Sequence, residues 1–254
     1  MEPDDILIVH DLTKSYGSLQ AVDRLSFSAH AGEVLGITGP NGAGKTTMFD
    51  VLSGITAPSA GNIKFDGRDI TDLGPDRICH AGLVRTFQFN ATFAGLTLME
   101  SVLVGAMYGS YRPGWRAYFG PDRIARGRAE EAIDFVGLSA QRKLRIADAP
   151  VFEQKLAMIA SAIATEPKLL MMDEPVGGLV PGEIDRVAEL VVRLKDKGIT
   201  ILIIEHVMRF LTSFSTRVLV MHHGAKLFEG APDQMMRDQA VREVYLGATW
   251  AVHV

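Results

Sequence analysis

The stretch that decides the fold of this chain is Gly39-Pro40-Asn41-Gly42-Ala43-Gly44-Lys45-Thr46-Thr47. It follows the apolar run Val34–Ile37 and precedes a segment through Leu52 with the composition of a helix. Glycines allow successive backbone N–H groups to close around phosphate oxygens, and a following helix adds the positive end of its dipole. A strand, a glycine-rich turn and a helix start in this order predict a phosphate-binding loop.

This loop has two residues with distinct expected roles in holding a nucleotide. Lys45 is expected to reach the β- and γ-phosphates, and the Thr46 hydroxyl is expected to ligate Mg²⁺. The other residues of the loop are expected to contact the phosphates mainly through their backbone. These further nucleotide-binding candidates are Gly39, Pro40, Asn41, Gly42, Ala43, Gly44 and Thr47.

Bulk composition limits the class of protein. At 254 residues, 47% of them hydrophobic, the chain is long enough to bury a substantial core. The formal net charge of −4 gives no indication of a nucleic-acid partner. The most apolar run, Ile199–Ile204, has the length of a strand, whereas a membrane-spanning helix needs about 20 apolar residues. We therefore expect a soluble or peripheral protein that associates with a membrane only through a partner.

The rest of the chain shows two patterns. A helical block runs from residue 96 to residue 164, and on either side of it apolar strands alternate with amphipathic helices. Strands that are apolar throughout predict a parallel sheet covered on both faces. The predicted strands are Ile6–His10, Leu25–Ala29, Val34–Thr38, Asn62–Phe65, Leu83–Phe87, Lys168–Met172, Thr200–Ile204 and Arg217–Met221. The predicted helices are Gly44–Ser53, Leu98–Tyr108, Asp122–Val136, Glu153–Ala164, Pro181–Lys195 and Val207–Ser213.

Four polar residues follow apolar strands, where open α/β sheets bind their ligands. Asp173 is a candidate to hold Mg²⁺ or its water, and Glu174 is a candidate to polarise the water that attacks a γ-phosphate. Gln88 is a candidate Mg²⁺ or water ligand that also senses a docked partner, and His206 a candidate hydrogen-bond partner of the γ-phosphate. Taken alone, Gln88 and His206 are more typical of capping or surface positions.

In order and spacing, the loop, Gln88, Asp173-Glu174 and His206 resemble the ATPase subunits of ATP-binding cassette (ABC) transporters. The resemblance covers essentially the whole chain. It implies ATP and Mg²⁺ as cofactors and a catalytic set of Lys45, Gln88, Glu174 and His206. Tyr16, just before Gly17, matches the aromatic residue that stacks on adenine in this family.

The resemblance also implies an architecture and an assembly. The fold class is α/β, a P-loop NTPase (RecA-like) core with an N-terminal antiparallel β part and an inserted α-helical subdomain. The core would comprise residues 1–88 and 166–254, and the helical subdomain residues 89–165. Two such subunits would pair head to tail with two ATP molecules at their interface. Transmembrane permease subunits would hold them peripherally on the cytoplasmic, inner face of the cell membrane.

Finer features are similar to one branch of this family, the ATPase subunits of importers for branched-chain and other hydrophobic amino acids, with urea and amide relatives. These features are Val84–Gln88, the loop around Tyr111–Phe119, Gly178-Leu179 and Tyr245-Leu246-Gly247. Importers of this branch resemble one another in using two different ATPase chains.

One motif departs from the family pattern. The signature loop, Leu-Ser-Gly-Gly-Gln in its usual form, is here Ala149-Pro150-Val151-Phe152-Glu153. In the family this loop offers a serine hydroxyl and glycine N–H groups to the γ-phosphate held by the other subunit. We expect the Phe152 side chain to block the close approach that a glycine permits. Glu153 places a carboxylate near a polyanion, at a cost of roughly 1 kcal/mol or more at ~4–6 Å, and Pro150 has no N–H to donate.

Two interpretations of this departure compete. In the first, the chain hydrolyses ATP at its own loop, and a different companion ATPase subunit supplies an intact signature loop. In the second, the chain binds nucleotide but is hydrolytically impaired, or it serves a different transporter, such as a urea or amide importer or an exporter. The intact set of nucleotide-facing residues favours the first. A P-loop kinase or GTPase is disfavoured, because no Asn-Lys-x-Asp motif is present and Gln88 and His206 would be unexplained.

The pair His222-His223 raises the question of a metal site. Adjacent residues on a strand point to opposite faces of the sheet. No cysteine or carboxylate stands at a suitable spacing from the pair. We therefore expect these histidines not to bind a metal together.

Overall fold

The computed structural model describes residues 5–86, 95–108 and 123–246. The strands are β1 (Asp5–Tyr16), β2 (Leu19–His30), β3 (Val34–Thr38), β4 (Ala60–Phe65), β5 (Arg68–Asp69), β6 (Leu83–Arg85), β7 (Leu169–Asp173), β8 (Thr200–Ile204), β9 (Arg217–His222) and β10 (Ala225–Gly230). The helices are α1 (Lys45–Leu52), α2 (Pro75–Ala81), α3 (Leu98–Tyr108), α4 (Arg123–Val136), α5 (Val151–Ile163), α6 (Pro181–Asp196), α7 (Met208–Phe214), α8 (Pro232–Arg237) and α9 (Gln239–Leu246).

Two sheets organise these elements. The first is antiparallel, with strand order β2-β1-β4-β5. The second has the order β10-β9-β3-β8-β7-β6, and all its pairings are parallel except that of β10 with β9. The predicted α/β fold with an N-terminal antiparallel part and a parallel sheet is confirmed.

The parallel sheet is buried on both faces, as its unbroken apolar strands predict. Along β8, Ile201 and Ile203 face the cluster that contains the helical block, whereas Leu202 and Ile204 face the cluster between the two sheets. Helix α1 lies in this second cluster with four of its apolar residues buried. The loop before α1 is therefore held between two sheets.

The helices between β6 and β7 form a compact group. Helices α3, α4 and α5 pack against one another, and their apolar residues share one buried cluster with a face of the parallel sheet. The segment before α5 is tied to the start of α3 by the Leu98 N–H, which donates to the Leu144 carbonyl at 2.9 Å. The boundaries of a separate helical subdomain at residues 89 and 165 stay a prediction. No helix within the described residues is both long and apolar enough to span a membrane.

The structure corrects several element bounds. Strand β1 continues beyond the predicted end at His10, because a register shift between Val9 and Leu12 and a positive φ of 47° at Asp11 bend the strand without ending it. The sequence interpretation also missed α2, β5, β10, α8 and α9, which are short. The start of α2 carried a readable signal, a proline in its first turn after Gly74.

Two helical glycines test the packing of the helical group. A Cβ atom at Gly105 of α3 would lie 2.2 Å from the Ser161 carbonyl oxygen of α5, whereas one at Gly127 of α4 would meet nothing within 4 Å. We predict that Gly105→Ala destabilises the fold by about 1–3 kcal/mol. Gly127→Ala should stabilise it by up to about 1 kcal/mol, since alanine favours a helix. Chemical denaturation measures both, and equal effects would contradict this α3–α5 contact.

Candidate functional site

The phosphate-binding loop can hold no side chain at two of its glycines. Gly39 has φ 147°, and a Cβ there would lie 2.1 Å from the Met221 carbonyl oxygen of β9. Gly44 has φ 93°, and a Cβ there would lie 2.2 Å from the Ala21 carbonyl oxygen of β2. Both residues adopt conformations that favour glycine. Strand β9 of one sheet and strand β2 of the other therefore pack against one side of the loop. The opposite side of the loop is left open to a ligand.

Lys45 lies inside this loop with only 6% of its surface exposed. Its ammonium group donates to the Gly39 carbonyl at 2.7 Å and to the Pro40 carbonyl at 3.0 Å. Burial lowers the pKa of this ammonium, and the negative charges of Glu174 and Asp173 oppose that effect. The lysine is thus satisfied by the loop itself and faces two carboxylates.

An open cleft of about 400 Å³ lies over the loop. Glu174, from the end of β7, and His206, which follows β8, both reach it, and the Glu174 Oε1 and His206 Nε2 atoms lie 3.3 Å apart. Burial lowers the pKa of His206, and the charge of Lys45 acts in the same direction. The neutral imidazole is therefore favoured. The cleft brings together these two predicted site residues and loop residues 41–47.

The cleft could receive a triphosphate and its counter-ion. The first amides of a helix have no acceptor within the helix, and those of α1 open onto the cleft together with Lys45 and the exposed Thr46. Backbone N–H groups, one ammonium and one hydroxyl are the donors that phosphate oxygens require. The residues present therefore fit a bound nucleotide. Within the described residues, no cluster of three or more His, Cys, Asp or Glu forms a metal site of its own.

Asp173 has a partner that the sequence interpretation did not assign. Arg85 at the end of β6, whose side chain is 7% exposed, donates to Asp173 Oδ2 at 2.8 Å and to Asp50 Oδ1 at 2.6 Å. Asp50 belongs to α1, so this arginine ties the helix of the phosphate loop to the strand that carries the carboxylates. The sequence offered one signal, an arginine just before the polar end of a strand.

Two other candidates lie away from the cleft or outside the described part. Tyr16 ends β1, is 49% exposed, and has the Lys14 ammonium 4.9 Å from its ring centroid. It does not line the cleft, but Leu19, its partner in the β1–β2 ladder, does. Stacking of Tyr16 on adenine stays a prediction. Gln88, predicted to bind Mg²⁺, lies outside the described residues.

The altered signature segment lies where the spacing predicts, at the start of α5. Pro150 precedes the first helical residue, Val151, and Glu153 lies in the first turn. The expectation that the Phe152 ring blocks a partner is wrong for this conformation, because the residue is only 5% exposed. The Arg186 guanidinium carbon lies 4.7 Å from the centroid of the Phe152 ring and covers it. Val151, 52% exposed, presents the apolar surface instead.

The two adjacent histidines also differ from expectation. Their rings do not point to opposite faces, since the centroids of His222 and His223 lie 3.9 Å apart. The reason is that β9 ends at His222 and His223 has φ 48° in the following turn. His223 lines the cleft, and its turn supports the phosphate loop, because the Gly224 N–H donates to the Ala43 carbonyl at 3.1 Å. Sequence reasoning missed this role.

The last described helix contacts the entry to the phosphate loop. The Tyr245 hydroxyl on α9 lies 2.9 Å from the hydroxyl of Thr38, which is fully buried at the end of β3. It also accepts a hydrogen bond from the Gly39 backbone N–H. Burial raises the pKa of this phenol, and the hydrogen bonds with Thr38 and Gly39 oppose that effect. A residue 207 positions further along the chain therefore holds the first peptide of the loop.

Comparison with known proteins agrees with this geometry. Residues 22–177 match the family described as ABC transporter, and residues 225–251 match the one described as branched-chain amino acid ATP-binding cassette transporter. The chain is 34% identical over 252 residues to the high-affinity branched-chain amino acid transport ATP-binding protein BraF of Pseudomonas aeruginosa, covering 95% of this chain and 98% of that one. It is 31% identical over 251 residues to a probable branched-chain amino acid transport ATP-binding protein LivG of Methanocaldococcus jannaschii, with 96% and 98% covered.

Solved structures show the same fold. A nucleotide-free ATP-binding cassette from an ABC transporter superposes with a TM-score of 0.87 at 30% identity, covering 95% of this chain and 98% of that one. An ATP-binding cassette of an ABC transporter in its ADP conformation gives a TM-score of 0.86 at 31% identity, with 96% and 99% covered.

The Tyr245 hydroxyl offers a single-atom test of the support behind the loop. Tyr245→Phe leaves the buried Thr38 hydroxyl and the Gly39 N–H without this partner, so we predict a loss of about 1–2 kcal/mol in stability. The less ordered loop should bind ATP about three- to tenfold more weakly. Isothermal titration with ATP measures the change. In a double-mutant cycle with Thr38→Val, the stability losses of the two single variants should not add in the double variant. Fully additive losses would contradict the contact between Tyr245 and Thr38.

Proposed function

Since the chain belongs to the ABC transporter family, we propose that it is the ATP-hydrolysing subunit of an importer for branched-chain amino acids. The observation that carries the proposal is the convergence of Lys45, Glu174 and His206 on the cleft over the phosphate loop. Its relatives named above are branched-chain amino acid transport proteins, and its own C-terminal part matches that branch. ATP hydrolysis at this cleft would drive transport through permease subunits at the inner face of the cell membrane.

The side chains of the cleft divide the chemistry of hydrolysis among them. Lys45 and the loop amides neutralise the charge that develops on the phosphate oxygens. Glu174 orients the water for in-line attack on the γ-phosphate, and neutral His206 fixes the carboxylate through the contact at 3.3 Å.

The counter-ion site follows from oxygen ligands beside the loop. Mg²⁺, when bound, adds positive charge at the phosphates, and Thr46, Asp173 and Gln88 are the side chains that would hold it. Arg85 takes up Oδ2 of Asp173. The other carboxylate oxygen is then left for the ion or for a water bound to it.

The partner of this chain is a different ABC ATPase subunit with an intact signature loop. The segment Ala149–Glu153 contains no hydroxyl group, and Pro150, at the position of the serine, has no N–H. The exposed Val151 and the carboxylate of Glu153 replace groups that would contact a phosphate. The site built on the companion's phosphate loop and this segment would therefore be weak, and hydrolysis would take place at Lys45 and Glu174.

Replacing the proposed water-orienting residue tests the function. In the complex with the companion, we predict that Glu174→Gln leaves the affinity for ATP within about twofold but lowers turnover by about 10²-fold or more. Equilibrium binding of ATP and phosphate release measure the two quantities. Glu189→Gln, at an exposed position of α6, is the matched control and should leave both unchanged. Retained turnover of the Glu174 variant would contradict the role given to Glu174, and absence of ATP turnover in the unsubstituted complex would contradict the proposed function.

A further inference from the structure

The backbone of Glu174 is held in an unfavourable conformation. Its φ is 47°, a left-handed value that is strained for a residue other than glycine. Such a conformation persists only where surrounding contacts fix it. The Glu174 N–H donates to the Ile204 carbonyl of β8 at 2.9 Å, and the Glu174 carbonyl accepts from the Gly177 N–H at 3.3 Å.

A second donor to the Glu174 carbonyl comes from another helix. The Lys155 ammonium on α5 donates to it at 2.9 Å. Lys155 lies in the second turn of the helix that begins with the altered signature segment. Burial lowers the pKa of this ammonium, and the negative charges of Glu205 and Glu174 oppose that effect. Lys155 thus lies between the end of β7, which carries Glu174, and the group of helices α3, α4 and α5.

A buried carboxylate completes the arrangement. Glu205 is 2% exposed and accepts hydrogen bonds from the backbone N–H groups of Val176 at 2.9 Å, His206 at 3.0 Å and Val207 at 3.4 Å. Burial raises the pKa of Glu205, and these three hydrogen bonds oppose the shift. One carboxylate therefore joins the turn after Glu174 to the backbone of His206.

We propose that Lys155 is a positioning residue that, with Glu205 behind it, holds Glu174 in the left-handed conformation that points its carboxylate at His206. The inference rests on the proposed function of Glu174. It assigns to α5 a direct mechanical link with the water-orienting residue. A shift of α5 relative to β7 would lengthen the Lys155–Glu174 contact, so engagement of the α5 start by a partner subunit would change the orientation of Glu174.

Substitution of Lys155 tests this link with two readouts. Lys155→Met keeps the aliphatic stem and removes the donor, whereas Lys155→Arg keeps a positive donor. In the complex with the companion we predict that Lys155→Met lowers kcat about tenfold with KM for ATP within about twofold, and that Lys155→Arg recovers at least about half of kcat. Lys143→Met, at an exposed position before α5, is the matched control and should behave as the unsubstituted chain.

The second readout uses the full chain alone and does not depend on hydrolysis. Amide hydrogen exchange at Glu174, Val176 and Gly177 should become at least about tenfold faster in Lys155→Met, but not in Lys155→Arg or Lys143→Met. Unchanged exchange or unchanged kcat in Lys155→Met would overturn the proposal. So would a loss of kcat that Lys155→Arg does not recover and that is proportional to the drop in melting temperature. If Glu174→Gln retained turnover, the role proposed for Glu174 would fail, while this exchange experiment would still decide the Lys155 contact.

Discussion

The buried ammonium of Lys45 is the constraint on which the site depends. A charge with 6% exposure needs partners, and the carbonyls of Gly39 and Pro40 supply them only because the loop curls back over the lysine. This loop conformation requires a glycine at position 39, because a Cβ there would clash with the Met221 carbonyl of β9. It therefore depends on the pairing of β3 with β9. Binding of a phosphate would exchange the carbonyls for phosphate oxygens with little change in the number of hydrogen bonds.

The two sides of this subunit differ in the groups that they offer to a nucleotide. On one side, Lys45, Glu174 and His206 line one cleft over the phosphate loop. On the side expected to meet a partner, the segment Ala149–Glu153 contains no hydroxyl group, and Phe152 is turned into the core at the start of α5. A helix that folds normally but offers no phosphate ligand is what an asymmetric pair would require. Lys155, one turn further on, keeps this helix connected to Glu174.

Local patterns predicted the fold better than the contacts of the site. The apolar runs of β3 and β8 gave bounds that match the structure, because a strand buried on both faces has an unbroken pattern. The helices α8 and α9 were not predicted, and their six and eight residues give a helical pattern few repeats. The contacts of Arg85 with Asp173 and of Tyr245 with Thr38 join residues 88 and 207 positions apart. A single sequence does not show which residues so far apart along the chain come into contact.

The most direct test of the account is the Mg²⁺-dependent ATPase rate of the purified chain, measured against its own concentration with and without a companion ABC ATPase that has an intact signature loop. We predict a negligible rate for the chain alone at every concentration and a rise of at least about tenfold on adding the companion, saturating at equal amounts. Strong turnover of the chain alone that grows with its concentration would contradict it, because the segment Ala149–Glu153 would then complete an active site by itself.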